Sequence, residues 1–339
     1  MRSAGVGLGR AHAGNDAAVS ISSAVAPPLR SLAPTMWTPS RNPRCGVAQY
    51  AGELVSALRG LGLATPQAPE PALDAGLLHL QQEHSLIAPE EVADVARRAA
   101  DHRVPLVVTE HTVRRQVDGW EGDVTGLVAH SAEGAATLQD RWPGQRVEHI
   151  PHGCPTWFPR RKRRRGRVIG TFGFLEPHKG LTRLLDAAAR LGDVELLIIG
   201  SAREAWADEW FAGVPLTVPV RRVGEFLEES EIARRLAAEA DVLVFPYEEP
   251  RFDAVSGAVR VGLASGVPVL TSPTTWFRDL RHATLQTDDL AEGIGRLLDD
   301  TALRDDLTVA AREHCHDHSW ARMAQRHVDL YASLESTAR

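Results

Sequence analysis

The sequence predicts an α/β protein of two doubly wound domains facing a central cleft. Its 339 residues are enough for two domains of ordinary size. Short, continuous apolar runs recur in both halves, as expected of parallel strands covered on both faces. Amphipathic helical patterns separate those runs, so strand and helix alternate in each half.

In chain order, residues 1–31 are rich in Ala, Gly and Ser, and Asn15 and Asp16 interrupt any apolar stretch. They make a poor signal peptide and read as a disordered extension. The first domain spans 32–159, with buried strands expected at "GLLHLQQ", "PLVVTEH" and "GLVAHS". The joint is "HIPHGCPTWFPRRKRRRGR", where prolines and a basic run mark a linker at 160–167. A fresh strand at Val168 opens the second domain, 168–318, with further strands at "VELLIIG", "DVLVFP" and "GVPVLTS". Leu181, Leu184, Leu185, Ala188 and Leu191 keep to one helix face, as do Ile232, Leu236 and Ala240. Ligands of open α/β sheets bind beyond the carboxyl ends of the strands, so the expected site is the cleft between the domains.

Composition narrows the function classes. The formal net charge of −6 argues against nucleic acid as a partner. Three scattered cysteines, Cys45, Cys154 and Cys315, make no disulfide framework, so a reducing cytoplasm is expected. No apolar run approaches the roughly 18 residues that suggest a membrane span. Arg160 to Arg165 reads as a solvated linker, with weak contact to an anionic membrane surface left open.

Three strand-to-helix turns carry the chemistry. Lys179, in "FGFLEPHKGLTRLL", sits where free helix N–H groups and about half a positive charge attract phosphate. A solvated surface lysine is the plain alternative. Ser256 and Gly257, in "DAVSGAVRVGLASGVPVL", form a second such helix start. There Ser256 is a good cap, and Gly257 lets the backbone approach a ligand. Gly46, after the first strand and before an amphipathic helix, is the third; the three-glycine dinucleotide pattern is missing.

Taken together, "CGVAQYAGELVSALRGLG", "VVTEHT", "VAHSAEGAATL", "HIPHGC", "GFLEPHKGLTRLLDA", "VELLIIGS" and "ASGVPVLTS" resemble the retaining GT-B glycosyltransferases of the large family that includes sucrose synthase and phosphatidylinositol mannosyltransferase. The strings follow the family's order from about Met36 onward. The resemblance implies two Rossmann-like domains and a C-terminal helix at 319–339, "SWARMAQRHVDLY", crossing back to the first domain. It implies a nucleotide-sugar donor held mainly by the second domain and an acceptor held mainly by the first. By position, Lys179 would hold the donor diphosphate, Ser256 and Gly257 would offer it backbone amides, and Gly46 would close over it. His111 would lie near the transferred sugar; its plain alternative is a strand-end histidine bonded to backbone. The family's arginine five residues before the lysine is Phe174 here. Its two glutamates fall on Asp253, which could still reach the sugar, and Val261, which cannot bond a ribose.

Glu83 and His84, at a strand end, are acceptor-side candidates for binding or base catalysis. His79 belongs to the interior of the same strand. "HCHDH", His314 to His318, has zinc-ligand types, but alternate residues share a face only in an extended segment, and helical patterns flank this one. No metal and no cofactor are expected, the nucleotide sugar being a substrate. The reading is a metal-independent hexosyl- or other glycosyltransferase with a small-molecule or glycan acceptor. Two alternatives stay open. One is a GT-B-like subunit that binds a nucleotide or partner without transfer. The other is coupling of a sugar-like cyclitol donor.

Overall fold

Six parallel strands form the first sheet: β1 (Pro34–Trp37), β2 (Gln67–Ala68), β3 (Leu77–Gln82), β4 (Leu106–Glu110), then, past the short β5 (Thr112–Val113), β6 (Gly126–Ala129) and β7 (Val147–His149). A computed structural model defines this architecture and describes residues 33–161, 166–202 and 205–337. The expected extension, 1–31, and residues 162–165 of the basic linker lie outside the described residues. The sheet runs in the order β2-β1-β3-β4-β6-β7. Every residue of β1, β3, β4 and β6 is buried, including the polar His79, Gln81, Gln82, Thr109 and Glu110 toward the ends of β3 and β4. Helices α1 (Gly46–Gly60), α2 (Pro89–Asp101) and α3 (Ala132–Arg141) supply the crossovers.

The second sheet repeats the scheme with β8 (Val168–Phe172), β9 (Glu195–Ile199), β10 (Val220–Val223), β11 (Val242–Phe245), β13 (Val269–Thr271) and β14 (Leu285–Gln286), all parallel. Its order is β10-β9-β8-β11-β13-β14. Helices α4 (Leu181–Leu191), α5 (Ala205–Ala212), α6 (Glu229–Glu239), α7 (Gly257–Ala264), α8 (Leu290–Asp299) and α9 (Thr301–Asp317) accompany this sheet. The leucine face read from the sequence is the buried face of α4, with Leu184 and Ala188 fully enclosed. Strand order reverses between β1 and β3 in one sheet and between β8 and β11 in the other. Such switch points open a crevice at the strand ends.

Two features tie the halves together. Helix α10 (Trp320–Thr337) returns to the first domain, where Met323, Val328, Tyr331 and Leu334 share a core with Leu54 and Leu58 of α1. His79 is fully buried in β3, its Nδ1 2.6 Å from the Tyr331 hydroxyl of α10 and its Nε2 2.8 Å from Thr109 Oγ1. The second tie is an antiparallel pair between β5 and β12 (Asp253–Ala254), a strand of each domain. Beside it, Arg278 pairs with Glu133 at 2.8 Å.

Candidate active site in the interdomain cleft

A cavity of about 340 Å³ opens between the carboxyl ends of the two sheets. On the second-domain wall, Lys179 ends a single helical turn between β8 and α4. Gly180 follows in the left-handed region, φ 66°, and a Cβ there would collide with the Pro246 carbonyl oxygen, so the turn requires glycine. Lys179 Nζ donates to the Tyr247 hydroxyl at 2.7 Å and lies 4.1 Å from the Tyr247 ring centroid. Ser256 Oγ reaches the same hydroxyl at 3.3 Å. Lys179 is therefore half-buried and pinned at the β8/β11 switch point, not a freely solvated surface lysine. Ser256 is the N-cap residue of α7, but its hydroxyl turns to Tyr247 and makes no capping bond, which corrects the expected cap. The first N–H groups of α7 are left available. Gly257 lines the cleft, and a Cβ there would come within 3.0 Å of His152 Nε2.

On the first-domain wall, Gly46 opens α1 after a Cys45 N-cap that makes no side-chain bond, and a Cβ on it would meet nothing within 4 Å. His111, directly after β4, faces the cleft with Nε2 3.0 Å from Gln81 Oε1. The plain alternative of a side chain bonded to backbone is not the arrangement seen. Burial brings its pKa down to about 3, so the imidazole is neutral. Strand-end histidines also follow β6 and β7. Burial, chiefly, holds His130 and His152 neutral as well. All three pack on Tyr50 of α1, at centroid distances of 4.8, 4.7 and 5.1 Å, and Trp320 of α10 closes the group at 5.2 Å. The Tyr50 hydroxyl, His130 Nε2 and Trp320 Nε1 are buried with no protein partner, on a floor that lines the cavity. Such atoms suit a ligand rich in hydroxyl groups. The signal for this floor in the sequence is the histidines of "VAHS" and "IPHG", which follow β6 and β7.

The two acceptor-side candidates separate. Glu83 lines the cleft and accepts a bond from Thr112 Oγ1 at 2.6 Å. His84 points away, with Nδ1 3.4 Å from the Asp118 carboxylate; burial and the nearby Arg114 lower its pKa. His84 sits in the turn after β3 and is held by Asp118 outside the cleft lining, so it is corrected out of the site. Alternation of side chains along a strand corrects Asp253. Phe252 and Ala254 line the cavity, while Asp253 turns to α3, where Ser131 Oγ donates to Oδ1 at 2.5 Å. Ser131 also caps α3, accepting from Gly134 N. Asp253 thus joins the domains rather than contacting a sugar. Burial raises its carboxyl pKa and the Ser131 bond opposes the rise.

The outer cleft is acidic. Glu53 of α1 and Glu229 of α6 face each other across it, and burial, then Glu53, push Glu229 up to about 7. Phe174 and Val261 both line the cavity. The "HCHDH" segment is helical to Asp317; His314 stacks on His318 at 4.1 Å, while His316 turns to Phe158. Among the described residues, no group of three or more His, Cys, Asp or Glu is arranged to hold a metal ion.

Residues 166–300 match the family described as Glycosyl transferases group 1. A stretch of 131 residues is 30% identical to the D-inositol 3-phosphate glycosyltransferase of Nocardioides sp., spanning 36% of this chain and 28% of that relative. Anabaena Alr3699/HepE, solved in complex with UDP, superposes with a TM-score of 0.70 at 14% identity, over 88% of this chain and 99% of that one. The sucrose-phosphate synthase of Thermosynechococcus elongatus gives 0.68 at 15% identity, over 90% and 99%. At those identities the two structures speak for the fold. Residues 166–300 are thus similar to the glycosyl transferases group 1 family, and the chain as a whole shares the two-domain fold of these two structures.

Proposed function

We propose that the protein is a metal-independent, retaining glycosyltransferase that moves a sugar from a nucleotide-sugar donor to a small-molecule or glycan acceptor. The observation that carries this reading is the convergence of Lys179 and the open start of α7 at the β8/β11 switch point, inside the matched domain. In the reaction, the bond from the anomeric carbon to the diphosphate breaks and its electron pair leaves with the diphosphate. The acceptor oxygen bonds to the same carbon, and its proton is released. Negative charge grows on the leaving group, and a fixed cation with aligned N–H groups stabilises it. Holding both substrates in one cleft supplies the rest. Retention of configuration follows the family resemblance. Placement in the cytoplasm belongs to the same proposal and is supported by three free cysteines. No helix among the described residues is long and apolar enough to cross a membrane.

Calorimetric titration with UDP and GDP, with and without chelator, tests the reading. Binding of one nucleotide that survives chelation is expected, followed by a mass-shifted product when its sugar donors are supplied with acceptors. Absence of binding to either nucleotide contradicts the donor site. One observation favours the alternative of nucleotide binding without transfer: apolar Phe174 and Val261 stand in the cavity wall where the resembled family has polar groups. Tight nucleotide binding with neither donor hydrolysis nor product would decide for it.

A further inference from the structure

Arg260 is a charged side chain with no exposed surface, in the middle of α7. A buried charge is expensive unless it is paired and hydrogen-bonded, so its surroundings should explain it. One partner is Asp279, a half-exposed carboxylate that accepts from Nη2. The other is the Ser256 carbonyl oxygen, 2.8 Å from Nη1. The third guanidinium donor, Nε, is buried without a partner. Among the described residues that line the cleft, the lysine and arginine side chains are Lys179 and Arg260.

The Ser256 contact has a geometric consequence. A trans peptide unit is planar, with its C=O and N–H on opposite sides. Holding the Ser256 carbonyl back along α7 therefore aims the Gly257 N–H forward, toward the helix start that lines the cavity. The guanidinium also adds charge behind that start, in a region where burial leaves charges weakly screened. Its field reaches the cleft: after burial, Arg260 is the next cause lowering the pKa of His152, which lines the same cavity.

We propose that Arg260 is a positioning residue of the donor phosphate site, fixing the Ser256–Gly257 peptide and supplying the second cation where Phe174 offers none, while Asp279 holds its guanidinium and tempers its charge. This rests on the donor-site reading above.

The test is a set of titrations with UDP, GDP and inorganic pyrophosphate, with a melting curve for each variant. Arg260→Met should weaken the bound nucleotide about tenfold, the low end for losing a charge-assisted contact. Arg260→Lys, which keeps the charge without the fork, should fall between wild type and Arg260→Met. Asp279→Asn should tighten nucleotide and pyrophosphate binding by about threefold, because it removes a carboxylate from beside the cation. A merely structural arginine predicts the reverse for Asp279→Asn: affinity unchanged or weakened, following the melting temperature. That result, or unchanged affinity in a folded Arg260→Met, overturns the proposal. Should Arg260→Met not fold, Asp279→Asn still decides. If wild type binds no nucleotide, the donor-site reading fails; if wild type binds and the variants do not diverge as stated, only this inference fails.

Discussion

On the first-domain wall of the cleft, three imidazoles ring Tyr50, and burial holds all three neutral. On the second-domain wall, Lys179 and Arg260 put two cations beside a helix start. Both walls stand on the carboxyl ends of a six-stranded parallel sheet, so the scaffold is the same and the chemistry is not. An aromatic floor with orphaned donors and acceptors, flanked by Glu53 and Glu83, suits hydroxyl groups and offers no cation to phosphate. A cationic wall with free N–H groups does the opposite. Topology places the cleft; in the proposed reading, residue choice on its two walls decides which end of the substrate goes to which wall.

That division can be broken from either side. Lys179→Ala should weaken nucleoside diphosphate binding by about ten- to hundredfold, since a charge-assisted contact is worth roughly 1.5–3 kcal/mol. Because Lys179 is pinned to Tyr247, a small loss of stability should accompany it, read by a melting curve. His111→Ala should slow transfer by about tenfold or more, the scale of one lost contact to the reacting group, yet leave nucleotide affinity within about twofold. Equal losses of affinity in the two variants would erase the distinction between the walls.

A smaller effect lies behind the first wall. Glu110, the residue before His111, faces away from the cleft, and burial, then Glu121, push its carboxyl up to about 8 from an ordinary 4.5. A carboxyl raised in the folded state contributes stability that is present below its ordinary pKa and lost as pH climbs through the raised one. Wild type should therefore lose stability between about pH 4.5 and 8, by at most about 1.4 kcal/mol per pH unit from this group. Glu110→Gln should flatten that slope in melting temperatures measured from pH 5 to 8.5; an unchanged slope would place the proton elsewhere. The smallest effect is expected of Asp253→Asn, which weakens the Ser131 tie: melting temperature down by a few degrees, nucleotide affinity unchanged.

The same contrast separates what the sequence makes legible from what it hides. Both sheets are readable because β9 and β11 are buried on both faces and appear as apolar runs, and β3 and β4 begin with apolar pairs or triplets before their polar ends. The two-residue strands β2, β5, β12 and β14 carry too little pattern to be read. Lys179 could be picked out because strand, turn and helix are contiguous around it. Its partner Tyr247 could not, since it lies 68 residues away and meets the lysine only through the β8–β11 pairing. Arg260 was hidden for a related reason: its partner Asp279 lies 19 residues further along the chain. Counting residues places Asp253 near the site, but a count cannot say which face of a two-residue strand a side chain takes, and the turn that carries His84 out of the site leaves no mark in the strand pattern. The imidazole floor is assembled from α1, three strand ends and α10, and no local window contains it.

The most direct test of the division of labour is amide hydrogen exchange with and without the nucleoside diphosphate that wild type binds, resolved by residue. The account predicts slowed exchange at Gly257, Ala258 and the Gly173–Gly180 turn, with the amides of His111, His130 and Glu83 unchanged until an acceptor or a sugar-bearing donor is added. Protection appearing first at His111 and His130, with the α7 start unaffected, would contradict it.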